Sequence, residues 1–180
     1  MKKKFFGTDG IRGEFNQYPI TPIFFFNLAN AIIQTNKSIK RVLIGKDTRE
    51  SSDEIEDAIF IGFEKQNIKC DSCGVVSTPI LSNYTRIFDY DLGIMISASH
   101  NPYQDNGIKI FKKNGEKLND KEEIEIEQKI SVENNDFLTV KNKTKINSIN
   151  SRNYEKNLIE KFHMLSNYKE KIFVDFANGS

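Results

Sequence analysis

Short apolar runs alternate with longer amphipathic stretches along the first half of the chain. Three runs, each closed by polar or turn-forming residues, have the length and composition of buried strands: 41–45, 70–76 and 92–96. Between them, apolar residues recur at helical spacing and predict three helices: one after Thr21-Pro22, one over 53–66 and one over 80–88. Thr21 and Thr78 each precede a proline and are predicted to cap the helices that follow. This alternation predicts an α/β fold with parallel strand pairs.

The strand over 92–96 is followed by a predicted loop. Pro102 lacks a backbone N–H, and the sequence of residues 105–107, Asp-Asn-Gly, strongly favours a turn. The strand is therefore not expected to continue through residues 102–107. A second apolar run, 108–111, then returns as a strand. Because this connection is too short for a crossover, the returning strand is predicted to be antiparallel to the one before it.

The tip of this loop carries side chains of different chemistry. Ser99 offers a hydroxyl, His100 an imidazole and Asn101 an amide, and Lys109 adds an ammonium group where the chain re-enters the sheet. A nucleophile, an acid or base and a cation on one loop indicate a reaction centre better than they indicate a packing arrangement.

Three interpretations of Ser99 compete on the residues alone. A serine hydrolase is the weakest, because the Gly-x-Ser-x-Gly elbow is absent and the adjacent Ser99 and His100 do not naturally form a triad. A purely structural loop is the second. Phosphoryl transfer is the third, with Arg12, Lys109 and Arg49 supplying the cations that such transfer needs. The chain has no P-loop sequence, so a nucleotide is not the obvious phosphoryl donor.

Two other polar loops carry candidate phosphate ligands. Residues 4–6 are predicted to form a short strand, followed by a glycine-punctuated loop over 7–13 that contains Arg12. Spacing alone leaves two interpretations of Arg12 open, a functional residue and an exposed arginine in a turn. The loop after the first buried strand carries Lys46 and Arg49, and the carboxyl ends of strands are where open α/β folds place ligands. For Lys46, an exposed side chain on a solvated loop is the favoured interpretation.

Composition narrows the classes of partner. The formal net charge is +1, so no basic excess points to nucleic acid. Residues 15–36 carry no charge, but their asparagines, glutamines and prolines exclude a membrane span, and the lysines after Met1 lead into no apolar signal segment. The chain is therefore expected to be soluble and cytoplasmic.

The two cysteines form a lone Cys-x-x-Cys pair, Cys70 and Cys73. A redox pair would be expected to open a helix, whereas these residues lie in a predicted strand. Zinc would need two further ligands, and the only histidines are His100 and His163. Two reduced thiols without a catalytic role are the favoured interpretation.

The remaining third of the chain is more polar and contains fewer apolar runs. Its predicted parts are a charged helix over 117–130, a loose surface connection over 134–150, an amphipathic helix over 151–165 with His163 on its polar side, and a new strand over 171–176. That last strand has no covering helix after it. Residues 1–150 are therefore predicted to form one domain and 151–180 the start of a truncated second domain.

The motifs together resemble those of the α-D-phosphohexomutase superfamily. Four segments carry the resemblance, in the same order as in that family: Phe6-Gly7-Thr8-Asp9-Gly10-Ile11-Arg12-Gly13, Gly45-Lys46-Asp47-Thr48-Arg49, the long block from Ser97 to Lys109, and Val174-Asp175-Phe176-Ala177-Asn178-Gly179. The resemblance implies a three-layer α/β/α sandwich with a mixed, mostly parallel sheet. It covers the chain from Phe5 to its last residue.

The resemblance also implies a role for each residue of the loop. Ser99 would be the serine that carries a phosphoryl group and, through that phosphate, a metal ligand. His100 and Lys109 match positions that assist proton transfer and stabilise the transferring phosphoryl group, and Arg12 matches an arginine of the active site. The expected phosphate-binding and substrate-binding residues are Arg12, Asn101, Lys109 and Arg49.

The implied reaction follows from the branch of the family that the chain resembles. Ser97 before Ala98, with the glycine-rich opening, is similar to bacterial members that interconvert glucosamine 6-phosphate and glucosamine 1-phosphate for UDP-N-acetylglucosamine and cell-wall precursor synthesis. Such enzymes use Mg²⁺ and glucosamine 1,6-bisphosphate, and a homodimer is one expected assembly. Phosphomannomutase or phosphoglucomutase activity, and an isolated non-catalytic phosphate-binding domain, are the alternatives.

The family's metal-binding sequence, Gly-Asp-Gly-Asp-Arg, does not occur in the chain, and the later sugar-selecting loops are also missing. Residues 1–180 by themselves are therefore expected to lack turnover. The remaining metal ligands would come from outside this chain.

Overall fold

Five strands and five α-helices make up the part of the chain described by the computed structural model, namely residues 3–131, 152–167 and 169–175. The strands are β1 Ile11–Glu14, β2 Arg41–Lys46, β3 Lys69–Val75, β4 Leu92–Ile96 and β5 Asp105–Lys112. The helices are α1 Pro22–Thr35, α2 Ser52–Glu64, α3 Thr78–Ile87, α4 Asp120–Glu127 and α5 Arg152–Lys161, followed by a 3₁₀ helix over His163–Asn167.

The strands form one mixed sheet in the order β1-β5-β4-β2-β3. Strand β2 is parallel to both β3 and β4, whereas β5 is antiparallel to both of its neighbours, β4 and β1. Four of the five strands therefore run in the same direction, which confirms the mixed, mostly parallel sheet. It also confirms the antiparallel return of β5. The carboxyl ends of β1, β2, β3 and β4 consequently lie at one edge of the sheet, beside the start of β5.

Alternation along the strands separates two apolar cores. Val42 and Ile44 of β2 pack into a large core with α1, α2 and α4, while Leu43 between them packs with Leu81 and Tyr84 of α3. All five side chains are almost completely buried. The sheet thus has helices on both faces, and the predicted three-layer α/β/α sandwich is confirmed.

Helix α1 begins where the sequence predicts. The Thr21 hydroxyl accepts a hydrogen bond from the Phe24 N–H at 3.3 Å, and Pro22 occupies the first helical turn. The three consecutive phenylalanines, 24–26, are each no more than 3% exposed. They supply packing area in the large core and leave no aromatic face for a ligand.

The predicted strand over 4–6 is wrong, and the first strand lies later, in Ile11–Glu14. The backbone N–H groups of residues 4–6 donate instead to the carboxylate of Glu127, at 2.7, 2.5 and 2.6 Å. That carboxylate satisfies the donors that a sheet would otherwise need to satisfy. Arg12 therefore belongs to a strand rather than to the predicted glycine loop.

The predicted turn at 105–107 is also wrong, because these residues open β5 and pair with β1. The turn comes just before them, where the Asp105 N–H donates to the Pro102 carbonyl at 3.0 Å. Asn106 is fully buried, and its amide donates to the hydroxyls of Ser51 and Ser52 at 2.9 and 3.0 Å. A residue with high local turn preference is thus used to join β5 to the start of α2.

Three further predictions need correction. Ser77, not Thr78, is the residue before α3, and it makes no side-chain capping bond. The charged helix is shorter than predicted: Asn119 and Glu122 form a capping box at its start, and α4 ends at Glu127. Residues 171–175 form no strand, and Phe173 is 94% exposed.

The amphipathic helix predicted over 151–165 is present as α5, which ends at Lys161. Its Tyr154 ring makes an edge contact with Tyr84 of α3, with ring centroids 6.3 Å apart. His163 is exposed, as predicted. The surface connection predicted over 134–150, and with it the proposed domain boundary at 150, lies outside the described residues.

The helices in the described ranges do not meet the requirements of a membrane span. None of them is both long enough and apolar enough to cross a bilayer.

Candidate functional site

A wide cleft lies at the edge of the sheet where the parallel strands end. Its volume is about 1170 Å³. Most of its polar groups come from the loops after β2, β3 and β4 and the turn before β5, and Glu14 of β1 and Glu54 of α2 add two carboxylates; the loop residues are Asp47, Thr48, Arg49, Glu50, Ser51, Ser77, Thr78, Ser97, Ser99, His100, Asn101 and Gln104. This placement agrees with the general rule that open α/β sheets bind ligands beyond the carboxyl ends of their strands.

Ser99 is presented to this cleft by an unusual backbone conformation. Its φ is +58°, in the left-handed region that non-glycine residues seldom adopt, and the residue is exposed. The buried Ser97 holds this conformation, because its hydroxyl accepts a hydrogen bond from the Ser99 N–H at 2.9 Å. The Ser99 hydroxyl lies 3.5 Å from Nδ1 of the exposed His100. The predicted nucleophile and its neighbouring imidazole therefore share the open side of the loop.

Arg49 lines the same cleft but is directed into the loop itself. Its side chain is only 10% exposed. Its guanidinium donates to one carboxylate and four main-chain carbonyls, those of Asp47, Ser99, Asn101, Pro102 and Asp105. With five N–H donors and five acceptors, no donor is left for a phosphate in this arrangement. The assignment of Arg49 to phosphate binding stays a prediction, and the contacts favour another role.

Arg12 and Lys109 meet in a separate charged cluster around Asp9. The Asp9 carboxylate accepts hydrogen bonds from Arg12, from Lys109 at 2.7 Å and from Lys117 at 2.8 Å. Three cations therefore surround one anion, and the Nε of Arg12 is buried without a hydrogen-bond partner among the residues that the structure describes. The cluster carries an excess of positive charge that an additional anion could neutralise.

The Asp9 cluster lies on the sheet next to the Ser99 loop. Arg12 pairs with Gly107, whose carbonyl accepts the Ser97 N–H at 2.9 Å, and Lys109 pairs with Met95, which lines the cleft. Arg12 and Lys109 themselves do not line the cleft. The structure thus brings the predicted cations close to the loop along the sheet, while Asp9 occupies their charged groups.

Two other predicted site residues have partners within the domain. The Asn101 amide donates to the Asp105 carboxylate at 2.8 Å, so it helps to close the loop. Lys46 is not on a solvated loop: its ammonium contacts Asp53 at 2.5 Å and the buried Glu56, both on α2. That favoured interpretation of Lys46 was wrong.

Sequence reasoning missed the central acid of the charged cluster. Asp9 stands within the glycine-rich opening, but a lone aspartate between glycines is also ordinary turn chemistry. One signal could have revealed it: the motifs contain several lysines and arginines to which no acidic partner had been assigned. Lys117, which lies outside all of the motifs, could not have been found from them.

Asp9 makes the folding stability of the domain depend on pH in the acidic range. Partial burial raises the pKa of its carboxyl group, but hydrogen bonds and charge from Lys109 and Lys117 outweigh that effect, and its pKa falls from 3.8 to about 2. A depressed carboxyl pKa stabilises the fold above the unfolded pKa, and this contribution is lost as the pH falls through the folded pKa. The relevant window therefore runs from about pH 4 down to about pH 2.

We expect Asp9→Asn to be less stable than the wild type at pH 6, because its three cations would then repel one another unopposed. The stability difference should shrink between about pH 4 and pH 2, where wild-type Asp9 itself becomes neutral. Urea unfolding at a series of pH values measures this difference directly. A difference that stays constant across that window would contradict the assigned ion pairs.

The two cysteines lie in β3 as free thiols, as predicted. Burial raises the pKa of Cys73 to about 12 and also raises that of Cys70. Neither thiol is thus ionised near neutral pH, and a thiolate is the form that reacts.

We expect both thiols to react with maleimide at pH 7 at least about a hundredfold more slowly than free cysteine, since Cys73 is buried, Cys70 is partly buried and the pKa of each is raised. Mass spectrometry after timed quenching gives the rates, and urea-unfolded protein provides the control with full reactivity. Rapid labelling of the folded chain would show that Cys70 or Cys73 is a reactive thiol after all.

The described residues alone do not complete a metal site. Within them, no three histidine, cysteine, aspartate or glutamate side chains are grouped closely enough to hold an ion.

The sequence of the chain matches a known family. Residues 3–137 match the family model described as phosphoglucomutase/phosphomannomutase, alpha/beta/alpha domain I. The chain therefore belongs to the phosphoglucomutase/phosphomannomutase family, and the resemblance inferred from its motifs is confirmed.

The curated relatives are more specific in name. A phosphoglucosamine mutase from Vibrio vulnificus is 40% identical over 99% of this chain and 41% of its own length. A phosphoglucosamine mutase from Buchnera aphidicola is 39% identical over 98% of this chain and 40% of its own length. The chain thus spans about two fifths of the length of these relatives.

Solved structures agree on the fold. A crystal structure assigned to the phosphomannomutases, from Thermus thermophilus, superposes with a TM-score of 0.76 over 93% of this chain and 39% of that one, at 24% identity. A phosphoglucomutase/phosphomannomutase family protein from Burkholderia thailandensis gives a TM-score of 0.61 over 70% of this chain and 29% of that one, at 20% identity.

Proposed function

We propose that this chain supplies the phosphoserine-bearing domain of a phosphosugar mutase that interconverts glucosamine 6-phosphate and glucosamine 1-phosphate. One observation carries the proposal: Ser99 is held exposed, in a left-handed conformation, at the tip of a loop that faces the cleft. Such strain at a nucleophile is costly and is retained where the hydroxyl must be presented to a substrate. The names of the similar curated proteins support the choice of glucosamine phosphates.

The proposed chemistry is a pair of phosphoryl transfers. Phosphorylated Ser99 gives its phosphoryl group to a free hydroxyl of the sugar phosphate: the bond from phosphorus to the serine oxygen breaks, and one to the sugar oxygen forms. His100 lies close enough to the serine oxygen to take part in moving the proton that the sugar hydroxyl releases. The bisphosphorylated sugar then reorients in the site and returns its other phosphoryl group to Ser99.

Positive charge is the second requirement, because the transferring group carries negative charge throughout. Arg12 and Lys109 lie beside the loop along the sheet, and both are held by Asp9. In the proposal a substrate phosphate competes with Asp9 for these cations. The buried Nε of Arg12, which has no hydrogen-bond partner within the described part of the chain, is a donor that such a phosphate could use.

Mg²⁺ is proposed to bind through the phosphate on Ser99 together with ligands from outside the described residues. A bound Mg²⁺ would supply charge neutralisation at the phosphoryl group. Residues 1–180 alone are proposed to lack turnover. We further propose that the enzyme acts in the cytoplasm, where charged phosphosugars are retained, in the supply of cell-wall precursors.

The test is a turnover assay of the complete gene product with three sugar phosphates, those of glucosamine, mannose and glucose, each with its bisphosphate and Mg²⁺. The proposal predicts that glucosamine phosphate has the highest kcat/KM. A preference for mannose or glucose phosphate would assign the chain to the other activities in the family's name. Phosphate binding without turnover of any sugar would favour a non-catalytic binding domain.

A further inference from the structure

The Ser99 loop has little apolar packing to hold its shape. Ser99, His100 and residues 102–104 are all exposed, and Tyr103 is 87% exposed. A loop with so few buried contacts would be expected to sample many conformations. The left-handed Ser99 backbone is strained as well, and some other contact must offset the cost of that strain.

The bonds from the Ser99 N–H to Ser97 and from the Asn101 amide to Asp105 offset part of this cost, and four further polar contacts converge on Arg49. Its two terminal nitrogens each donate to two loop carbonyls: one to Ser99 at 2.8 Å and Asn101 at 2.9 Å, the other to Pro102 at 2.5 Å and Asp105 at 2.9 Å. One planar group thus fixes both ends of the exposed segment. A lysine ammonium has three donors from a single point and could not reproduce this pattern.

The guanidinium is itself fixed from the other side. The Asp47 carboxylate accepts from Arg49 Nε at 3.0 Å and from the Arg49 main-chain N–H at 3.1 Å. The Asp47 N–H in turn donates to the carbonyl of Ile96, the last residue of β4, at 3.0 Å. Asp47 therefore fixes the orientation of Arg49 relative to β4, the strand from which the Ser99 loop emerges. Both charged side chains are nearly buried, which strengthens their interaction.

We propose that Arg49 is a positioning residue that holds the Ser99 loop in its phosphoryl-accepting conformation and does not bind the substrate phosphate. This inference rests on the proposed function, because it assigns a purpose to the position of Ser99. It replaces the phosphate-binding role that the charge of Arg49 alone would predict. Without the Arg49 contacts to the four loop carbonyls, the Ser99 hydroxyl is still present but is poorly placed for phosphoryl transfer.

The test compares Arg49→Ala, Arg49→Lys and a control, Arg86→Ala, in the complete gene product. Arg86 is exposed on α3 and lies outside the cleft lining, so its removal controls for the loss of an arginine. For each variant, quenched-flow mass spectrometry measures the phosphorylation of Ser99 by glucosamine 1,6-bisphosphate in a single turnover. Hydrogen exchange measures protection of the amides of residues 97–105.

The expected result is a maximal phosphorylation rate about a hundredfold lower in Arg49→Ala, with little change in the half-saturating bisphosphate concentration. Arg49→Lys keeps the charge but should recover only part of the rate, and Arg86→Ala should match the wild type. Exchange should rise in residues 97–105 and stay unchanged in the core strands, a pattern that general loss of stability would not give.

Two results would overturn the inference. A higher half-saturating concentration at an unchanged maximal rate would make Arg49 a phosphate ligand. Unaltered rate and unaltered exchange would make its contacts incidental. If the wild type takes up no phosphoryl group, the proposed function fails, and the exchange measurement still decides whether Arg49 orders the loop. Arg49→Lys serves for both readouts if Arg49→Ala does not fold.

Discussion

Ser99→Ala is expected to lower turnover of the complete gene product by at least about 10⁴-fold. Alanine offers no oxygen to accept or return a phosphoryl group, and the neighbouring hydroxyl of Ser97 cannot replace it, because that hydroxyl is engaged by the Ser99 N–H. The fold should persist, since the Ser99 side chain is exposed and its hydroxyl lies a long 3.5 Å from His100. Coupled-enzyme assays and thermal unfolding give the two quantities.

The matched control is Ser38→Ala, which removes an exposed serine hydroxyl on the connection between α1 and β2, away from the cleft. Its turnover should equal that of the wild type. Retention of turnover in Ser99→Ala within a factor of about ten would rule out a covalent role for Ser99 and leave only positioning effects.

Gly107→Ala is expected to destabilise the fold by at least about 3 kcal/mol. A Cβ at this position would lie 2.1 Å from the Ile11 carbonyl oxygen and 2.9 Å from the Arg12 Cα, both part of the neighbouring strand β1. Backbone atoms of a paired strand cannot move aside without loss of the β1–β5 hydrogen bonds. The variant therefore tests the strand pairing that places Arg12 next to the Ser99 loop.

Gly7→Ala is the control for Gly107→Ala. Among the described residues, a Cβ on Gly7 would meet only the Gly10 carbonyl oxygen, at an ordinary 3.5 Å, so its cost should stay below about 1 kcal/mol. Urea unfolding followed by circular dichroism measures both variants. Equal and small losses in the two would contradict the register of β1 on β5.

Local sequence information was sufficient for most of the scaffold. The buried strand at 92–96 and the helix after Thr21-Pro22 both occur where predicted, because each depends on periodicity and capping within a few residues. The position of Ser99 in the loop after a buried strand was also predictable. Strand ends and turn residues are local signals, and the carboxyl edge of a parallel sheet follows from the fold class.

The rest depended on partners distant in sequence. Residues 4–6 do not form a strand, because the carboxylate of Glu127, far along the chain, accepts hydrogen bonds from their N–H groups. Arg49 is directed into the loop rather than into the cleft because four carbonyls and the Asp47 carboxylate converge there. Neither arrangement has a signature in local composition, since each exists only after the sheet has formed.

The most direct test of the central claim is to locate the phosphoryl group. The complete gene product is incubated with glucosamine 1,6-bisphosphate and Mg²⁺, digested, and its peptides are sequenced by mass spectrometry. A single phosphoryl group on Ser99, absent in Ser99→Ala, is the predicted result. A phosphoryl group on any other residue, or none on the protein while sugar turnover proceeds, would contradict the account.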